Sequence, residues 1–595
     1  MQRWNKSYKQ SPQRLRPTTQ TTPRRRYCDL NLSSLSELRL NYDISGQLAT
    51  ASKNIKIAIS RINYAWNLQN SPIFRLPDHL ILRIFEHLQD LTHETPSRTH
   101  PKWWDWLNVT SVCRAWRRIS VEGSSLWENV RIHRKMPVPF LSLILERAGG
   151  GKLAVSFRSR DYLHSAPRRE GYFKTIQPIA GRIKSFAIHV TVLAWYRERD
   201  YLTDLFVIPQ PNLESLDLSY NAFHASSSRH ARSQGLYRPD LSDMKDRVVL
   251  QLITLIPTNQ LKHLTLRHMK GWPPTRFGNL TDLTLFGYAD GNALAEAVPA
   301  NPTLQKLKLE SIKHKERYSY DSNRLVNLDG QTLELARCDP GVLSMFTLSS
   351  TCSLVITRTM DHHTTAYEGV EAPETRWLPE DISRIRCLHE LEEVHLSVTR
   401  IPRRRGWVAS EQKTVGYSTS NPTSGSRPQP SVTFILTYHS DTRTPGYKVP
   451  FESKYLLRHP IPWGKVTRAS FDGFHDQFTI RRSHVILDAL PNLRSLIFRR
   501  CDSVSLLRFI ADAMVQGLER LQFEDELCGR DFGDRLSRAL KIGCASVGRL
   551  KELKIIVAGD PSSTITAEQI GKLEECVCRI EVAKAPSYRP VGTDV

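Results

Sequence analysis

The chain has 595 residues, of which 40% are hydrophobic and 12 are tryptophan, so the composition predicts a buried core and excludes a chain that is disordered throughout. Its ten cysteines lack paired C-x-x-C spacing and no apolar run approaches the roughly 20 residues of a membrane helix. These features argue against a zinc ribbon, a disulfide framework or a membrane span, and they favour a reducing setting, cytoplasmic or nuclear. The net charge of +23 raises the question of a nucleic-acid partner, but twelve of these charges come from residues 1–30 and 400–430, which have the composition of flexible segments.

Residues 1–43 are the first predicted segment, a basic tail rich in Arg, Gln, Thr and Pro that we expect to be disordered. In residues 44–70 the apolar side chains fall at helical spacing, which predicts an amphipathic lead-in helix. These side chains are Leu48, Ile55, Ile59, Ile62 and Trp66. We expect the helix to pack back on the segment that follows it, and self-association is the alternative.

Residues 71–130 contain two short helical patterns separated by a polar gap. Pro77 suits the first position of the first helix, and Asp78 places a carboxylate at its positive end. One face of this helix is predicted to carry Leu76, Leu80, Ile81, Ile84, Phe85 and Leu88. The second pattern comprises Val109, Val112, Cys113, Trp116 and Ile119, and Leu126-Trp127 closes the segment. Helices this short bury little apolar surface, so we expect them to need a partner.

The order Leu76-Pro77-Asp78, Ile84-Phe85, Val112-Cys113-Arg114-x-Trp116 and Leu126-Trp127 resembles the F-box. The resemblance implies a three-helix unit that binds a Skp-family adaptor and, through it, a cullin–RING ubiquitin ligase. It also implies roles for single residues: Leu76, Pro77, Leu80, Ile84 and Phe85 would carry the adaptor contact, with Val112, Cys113 and Trp116 mainly packing the hairpin. A helix that runs into Ser71-Pro72-Ile73 is similar to the lead-in of F-box proteins abundant in mushroom-forming fungi. The alternative is an unrelated helical hairpin with a basic outer face.

Residues 131–397 and 476–585 repeat the pattern Leu-x-x-Leu-x-(Leu, Ile or Phe). Copies begin at Leu213, Leu261, Leu280, Leu304, Leu493, Leu518 and Leu550. Helical stretches such as 292–298 and 531–547 lie between them, so the region resembles a degenerate array of leucine-rich repeats. Asn221 and Cys501 match that family's turn-capping position. The predicted fold class is therefore α/β with an N-terminal all-α module, an F-box helical bundle followed by a leucine-rich-repeat-like solenoid. An ordinary α/β domain is the alternative.

Three segments interrupt or end the predicted array. Residues 398–430 are basic and then rich in Ser, Thr, Gly and Pro, which predicts a linker. Residues 431–475 are predicted to insert a β-hairpin, with Val432 to Tyr438 alternating against Tyr447 to Phe451. Residues 586–595 form a tail.

No catalytic motif accompanies these patterns, since the chain has neither a phosphate-binding Gly-rich loop with Lys nor a G-x-S-x-G elbow. His362-His363 and Cys576-x-Cys578 are poor metal ligands in their contexts, so we expect no metal, no cofactor and no enzyme activity.

The expected function is a substrate-recognition adaptor of an SCF-type ubiquitin ligase, in which the repeat strands hold an unknown client protein. The predicted client contacts are Asp217, Ser219, Thr265, Arg267, Thr284, Phe286, Lys308 and Arg499. The alternatives are a nuclear nucleic-acid-binding or scaffold protein that uses the basic tails, and an F-box protein that acts outside ubiquitination. No membrane partner is expected.

Overall fold

The structure is a computed structural model of the chain. The described residues are 32–94, 105–132, 136–159, 166–191, 204–208, 210–221, 260–268, 277–287, 291–312, 325–360, 378–379, 381–402, 407–417, 432–441, 461–473, 489–501, 507, 510, 517–525, 531–557 and 565–584. The chain divides into two compact units, Met1–Val121 and Glu122–Val595. Several predictions lie outside the described residues: residues 1–31 of the basic tail, the histidine pair 362–363 and the strand 447–451.

The first unit is helical in its described part. It contains α1 (Leu32–Asn70), a 3-10 turn (Pro72–Arg75), α2 (Asp78–Glu94), a second 3-10 turn (Asp105–Ser111) and α3 (Arg114–Glu122). At the start of α2, the backbone N–H groups of Leu80 and Ile81 donate to the carbonyl of Pro77. Pro77 itself lacks an N–H, and this position needs none because it precedes the helical ladder. The Pro77-Asp78 pair therefore starts α2 at the predicted place.

Helix α1 differs from its prediction in two respects. It begins at Leu32, inside the predicted tail, because Leu32, Leu35 and Leu38 extend the helical pattern past the Arg- and Pro-rich first thirty residues. Its apolar side chains also do not pack back on the following segment. They are exposed: Ile44, Leu48, Ile55, Ile59, Ile62 and Trp66. Tyr64 contacts the 3-10 turn that follows α1: its ring lies edge-to-face with that of Phe74, with centroids 6.4 Å apart.

The second unit is dominated by a large, mostly parallel sheet. Its strands are β1 (Asn129–Ile132), β2 (Leu153–Ser159), β3 (Ile183–Thr191), β4 (Ser215–Asn221), β5 (His263–Arg267), β6 (Asp282–Phe286), β7 (Lys306–Glu310), β8 (Val326–Leu328), β9 (Thr332–Ala336), β10 (Phe346–Leu348), β11 (Ser353–Met360), β12 (Glu393–Pro402), β13 (Trp407–Tyr417), β14 (Val432–Asp441), β15 (Arg468–Asp472), β16 (Ser495–Arg499), β17 (Arg520–Asp525), β18 (Leu550–Val557) and β19 (Val577–Lys584). Its described helices are α4 (Val138–Arg147), α5 (Ala166–Ile176), α6 (Gly291–Ala300), α7 (Arg386–His389), α8 (Phe532–Val547) and α9 (Ala567–Glu574), with 3-10 turns at Ser124–Trp127, Gln177–Arg182, Pro340–Met345 and Trp463–Lys465.

Seventeen of the described strands form one sheet, and β8 pairs in parallel with β10 apart from it. From β1 to β7, and on through β9 to β11, each strand pairs in parallel with the next. Strands β12 and β15 to β19 continue in the same parallel order. Among the described strands, β13 makes the antiparallel pairs, one with β12 and one with β14.

The repeated leucines form the core beneath this sheet. All three apolar positions of each predicted copy are buried, as in Leu280, Leu283 and Leu285 at 0 to 2% exposure. The strand register aligns them: Leu264 pairs with Leu283, which pairs with Leu307. Because burial of one leucine side chain stabilises a fold by about 1.5–3 kcal/mol, this continuous ladder is the main source of stability of the sheet. The predicted helices 292–298 and 531–547 coincide with α6 and α8.

Six of the short strands end in the same backbone corner. The next residue has a left-handed φ, between 48° and 77°, in His268, Gly287, Ser311, Arg337, Gly473 and Arg500. The N–H of this residue donates to a backbone carbonyl on the neighbouring strand, with N···O distances of 2.7 to 3.0 Å. The carbonyl belongs to the residue that pairs with the last residue of the strand. A left-handed residue with a side chain costs about 1–2 kcal/mol, which this hydrogen bond offsets.

A thiol follows two of these corners. Cys501 Sγ lies 3.4 Å from the carbonyl of Phe471 on the preceding strand, and Cys338 Sγ lies 3.2 Å from that of Leu309. Cys501 was predicted at this position. Cys338 was not, because Gly330 replaces the first leucine of its copy.

The predictions of a linker at 398–430 and of a separate hairpin at 431–475 are wrong. Strand β13 lies at 407–417, inside the predicted linker, and pairs with β12 and β14. Strand β14 contains the predicted residues 432–438, but it pairs with β13 and β11. The basic residues and Gly406 obscured the alternation of Trp407 to Tyr417, which the long pairing with β12 and β14 stabilises.

Candidate functional site

Helix α2 carries apolar side chains on two faces. Ile81 and Phe85 are buried at 3% and 1% exposure, and Gln89 continues this row at 2%. Leu80, Ile84, Leu88 and Leu91 form a second row and remain 42%, 44%, 37% and 39% exposed. Because i and i+4 lie on one side of a helix, each row is a continuous stripe. We call the exposed row the α2 stripe.

The buried side of α2 is fixed by α3. The ring of Phe85 meets that of Trp116 edge-to-face, with centroids 5.1 Å apart and planes at 62°. Such a pair contributes about 0.5–1.5 kcal/mol beyond its buried area. Arg118 Nη2 donates to Asp78 Oδ2 at 2.7 Å, and both side chains are more than half exposed. This exposed ion pair is worth about 1 kcal/mol at most, so the aromatic contact is the main determinant of how the two helices pack.

The turn before α3 is held by its own side chains. The N–H of Trp116 donates to Cys113 Sγ at 3.4 Å, so Cys113 caps the first turn of α3. Arg117 Nε donates to the carbonyl of Thr110 at 2.9 Å. Capping is a role of Cys113 that the sequence pattern alone did not indicate. Val112, which lies between these contacts, is 60% exposed.

The residues predicted to bind a partner therefore fall into two groups. Leu80, Ile84 and Pro77 are exposed and Leu76 is half-buried, so these four are accessible to a second protein. Phe85 is not accessible, because a residue one position after Ile84 is rotated by about 100° onto the buried side of the helix. Val112 was expected to pack the hairpin, and it instead adds an exposed apolar side chain. Leu126 and Trp127, which close the motif, are buried within the second unit, where the Arg147 guanidinium lies 4.6 Å from the Trp127 ring centroid.

Seven of the eight predicted client contacts lie together on the polar face of the sheet. Strand pairing aligns Asp217, Thr265, Thr284 and Lys308 in one row and Ser219, Arg267 and Phe286 in the next. Arg499 lies apart on β16, seven strand positions from β7, or about 34 Å at 4.8 Å per strand. The sheet therefore does not bring Arg499 to the other seven.

Charges on this face are paired within the chain. Arg267 Nε lies 3.6 Å from Asp217 Oδ1, and Lys308 Nζ lies 2.6 Å from Glu334 Oε1. Burial alone would raise the pKa of the Glu334 carboxyl, but its bonds to Lys306 and Lys308 outweigh burial and hold that pKa below its usual value. The face is therefore polar with little uncompensated charge here.

Phe286 is an aromatic side chain in the middle of these charges. The guanidinium groups of Arg267 and Arg337 lie 5.8 and 5.9 Å from its ring centroid, and the ring of His268 is edge-to-face with it at 4.6 Å. Burial, and then the charge of Arg267, lower the pKa of His268, which keeps its ring neutral at pH 7. A half-buried ring within 6 Å of two cations has the character of an aromatic anchor in a protein interface.

No cluster of three or more potential metal ligands occurs among the residues that the structure describes. In that same part of the chain, no helix combines the length and apolar character that crossing a bilayer requires.

Comparison with known families identifies one domain. The F-box-like family model matches residues 73–133, which include α2, α3 and the turn between them. No curated protein matches the chain significantly. The match confirms the F-box part of the sequence prediction and covers about a tenth of the chain.

Proposed function

Because residues 73–133 form an F-box-like domain, we propose that the chain is a substrate-recognition adaptor of an SCF-type cullin–RING ubiquitin ligase. The α2 stripe supports this proposal most directly, since Leu80, Ile84 and Leu88 are held out of the core by a helix whose opposite side is buried. Leaving such a row in water is unfavourable, and a Skp-family adaptor would cover it. Leu76 and Pro77 extend the same contact.

We propose that the sheet region is a degenerate leucine-rich-repeat-like array that binds the client. The support is the shared construction of its strands: buried leucines in register, a left-handed corner after the strand, and a thiol after two of the corners. A single strand cannot bury its leucines alone, so neighbouring units must stack. The polar face around Phe286 is our candidate for client contact, and Arg499 marks a separate location.

Copurification with a Skp-family adaptor tests the first proposal. Ile84→Asp with Leu80→Asp places two charges in the α2 stripe without opening the core, and we expect adaptor binding to fall by at least about 100-fold. The matched control is Leu48→Asp with Ile55→Asp, which charges two exposed apolar residues of α1. Binding that survives the α2 change, or that is lost equally in the control, would contradict the proposal.

The remaining parts of the proposal concern chemistry and location. The chain would supply no catalytic residue; it would bring a client lysine close to the charged conjugating enzyme, so the rate gain comes from proximity. A cytoplasmic or nuclear location fits this role. Turnover of the client in cells should slow when the α2 stripe is charged. Unchanged turnover, with adaptor binding lost, would instead favour an F-box protein that acts outside ubiquitination.

A further inference from the structure

A groove lies between α1 and α3, and Ile59 of the exposed apolar row of α1 forms part of its lining. It has a volume of about 850 Å³ and is lined by Lys56, Tyr64 and Arg61 of α1 and by Arg114 and Val112 near the start of α3. A second depression of about 530 Å³ shares Lys56 and Arg114 with it and reaches Ala49 along α1. From Ala49 to Tyr64 the α1 side of this groove is about 22 Å long at 1.5 Å per residue.

The cations of the groove lack counterions in the part of the chain that the structure describes. Within the described residues, Lys53, Lys56, Arg61 and Arg114 form no ion pair, and the groove linings contain no Asp or Glu. The sheet behaves differently, since lysines and arginines on its polar face meet acids. Arg118, at one end of the groove, is paired with Asp78. An unusually concentrated positive charge is thus left open along one surface of the helical unit.

The lining is apolar as well as cationic. Ile59 and Val112 are 52% and 60% exposed, and Tyr64 is 42% exposed. An anion such as free phosphate would use the cations and leave these side chains in water. A nucleic-acid backbone would gain little from the aliphatic ones. An amphipathic helix with acidic residues on one side and apolar residues on the other would use both, because its carboxylates can meet the cations while its apolar side chains cover the apolar lining.

We propose that the α1–α3 groove is a docking site for an acidic amphipathic helix of a partner protein. A helix of about 15 residues matches the 22 Å length at 1.5 Å per residue. Its carboxylates would neutralise Lys53, Lys56 and Arg114, and its apolar side chains would cover Ile59 and Val112. This site goes beyond the proposed function, and its test does not need the adaptor.

The test uses the full-length chain and a fluorescein-labelled peptide, read by fluorescence anisotropy. The probe is a helical peptide of about 16 residues with leucines at i, i+3, i+4 and i+7 and glutamates elsewhere. Lys56→Glu with Arg114→Glu should weaken binding at least about tenfold. The matched control, Arg75→Glu with Arg83→Glu, makes the same change in net charge on the same unit outside the groove, and should bind within about twofold of the unchanged chain. Because the basic N-terminal segment is present in every variant, non-specific attraction cancels in the comparison.

A second variant keeps the result interpretable if Arg114→Glu disturbs α3. Lys53→Glu with Lys56→Glu alters α1 alone and should also weaken binding at least about fivefold. A peptide with the same glutamates but with alanines for leucines should bind several-fold more weakly. Equal binding of the two peptides, equal loss in the groove variants and the control, or no binding of the glutamate–leucine peptide would overturn the proposal. So would preferential binding of a single-stranded oligonucleotide, or of vesicles that contain phosphatidylserine, through Lys56 and Arg114.

Discussion

Ile84 and Phe85 are adjacent in sequence, but their replacement by alanine should have different consequences. Phe85→Ala should lower the stability of the helical unit, whereas Ile84→Ala should mainly weaken adaptor binding. Phe85 is 1% exposed and packs on Trp116, so Phe85→Ala removes a filled core position and an aromatic pair. We expect a loss of about 3–5 kcal/mol, which is a large fraction of the stability of a unit of this size. Ile84 is already 44% exposed, and Ile84→Ala should cost about 0.5 kcal/mol or less while weakening adaptor binding.

Hydrogen exchange with mass spectrometry separates the two outcomes, because peptides from α2 and α3 report on the first unit alone. In Phe85→Ala both peptides should exchange markedly faster, whereas peptides from the sheet strands should not change. In Ile84→Ala exchange in the free protein should stay as in the unchanged chain. Equal protection in both variants, or faster exchange in Ile84→Ala than in Phe85→Ala, would refute the assignment of the two faces of α2.

Other expected outcomes concern the second unit. Gly287→Ala should destabilise the sheet by about 1–3 kcal/mol in thermal unfolding, because φ is 77° there and a Cβ would lie 2.3 Å from a histidine ring atom; Gly571→Ala, with open space around it in α9, should be neutral or stabilising by up to about 1 kcal/mol. Under native conditions at pH 8, iodoacetamide should label the exposed Cys578 and leave Cys387 unmodified, because Cys387 is fully buried and burial raises the pKa of its thiol to about 12. Glu334→Gln should lower the melting temperature at pH 7 and have less effect at pH 4: a carboxyl whose pKa is lowered on folding stabilises the fold above its unfolded value of 4.5, and this contribution is lost as the pH falls through the folded value. An equal effect at both pH values would contradict the assignment.

Sequence patterns correctly predicted the features that depend on residues close together in the chain. The three leucines of each copy are buried because their spacing allows one strand to present them all to the core, and nothing distant competes with that preference. The start of α2 at Pro77-Asp78 followed from backbone chemistry in the same way. Cys501 was identified because its copy is complete, whereas Cys338 was missed because its copy begins with glycine.

Predictions that depended on tertiary partners were less successful. Helical periodicity placed Ile81 and Phe85 on the same face as Leu80 and Ile84, since all four are apolar and the pattern does not say which of two adjoining stripes α3 will cover. The partners of β14 were wrong for a similar reason, because strand pairing is decided across the sheet. The apolar residues of α1 were expected to be covered, and the structure leaves them in water.

The insertion of β13 and β14 also shows how this mostly parallel sheet accommodates extra sequence. Strand β11 runs parallel to β14, β14 runs opposite to β13, and β13 runs opposite to β12. Two reversals restore the original direction, so β12 enters the second half pointing the same way as β11 left the first. One additional strand would have reversed the polarity of all later units and turned their leucines out of register. At this junction an antiparallel insertion therefore preserves the strand direction of the sheet only when it adds an even number of strands.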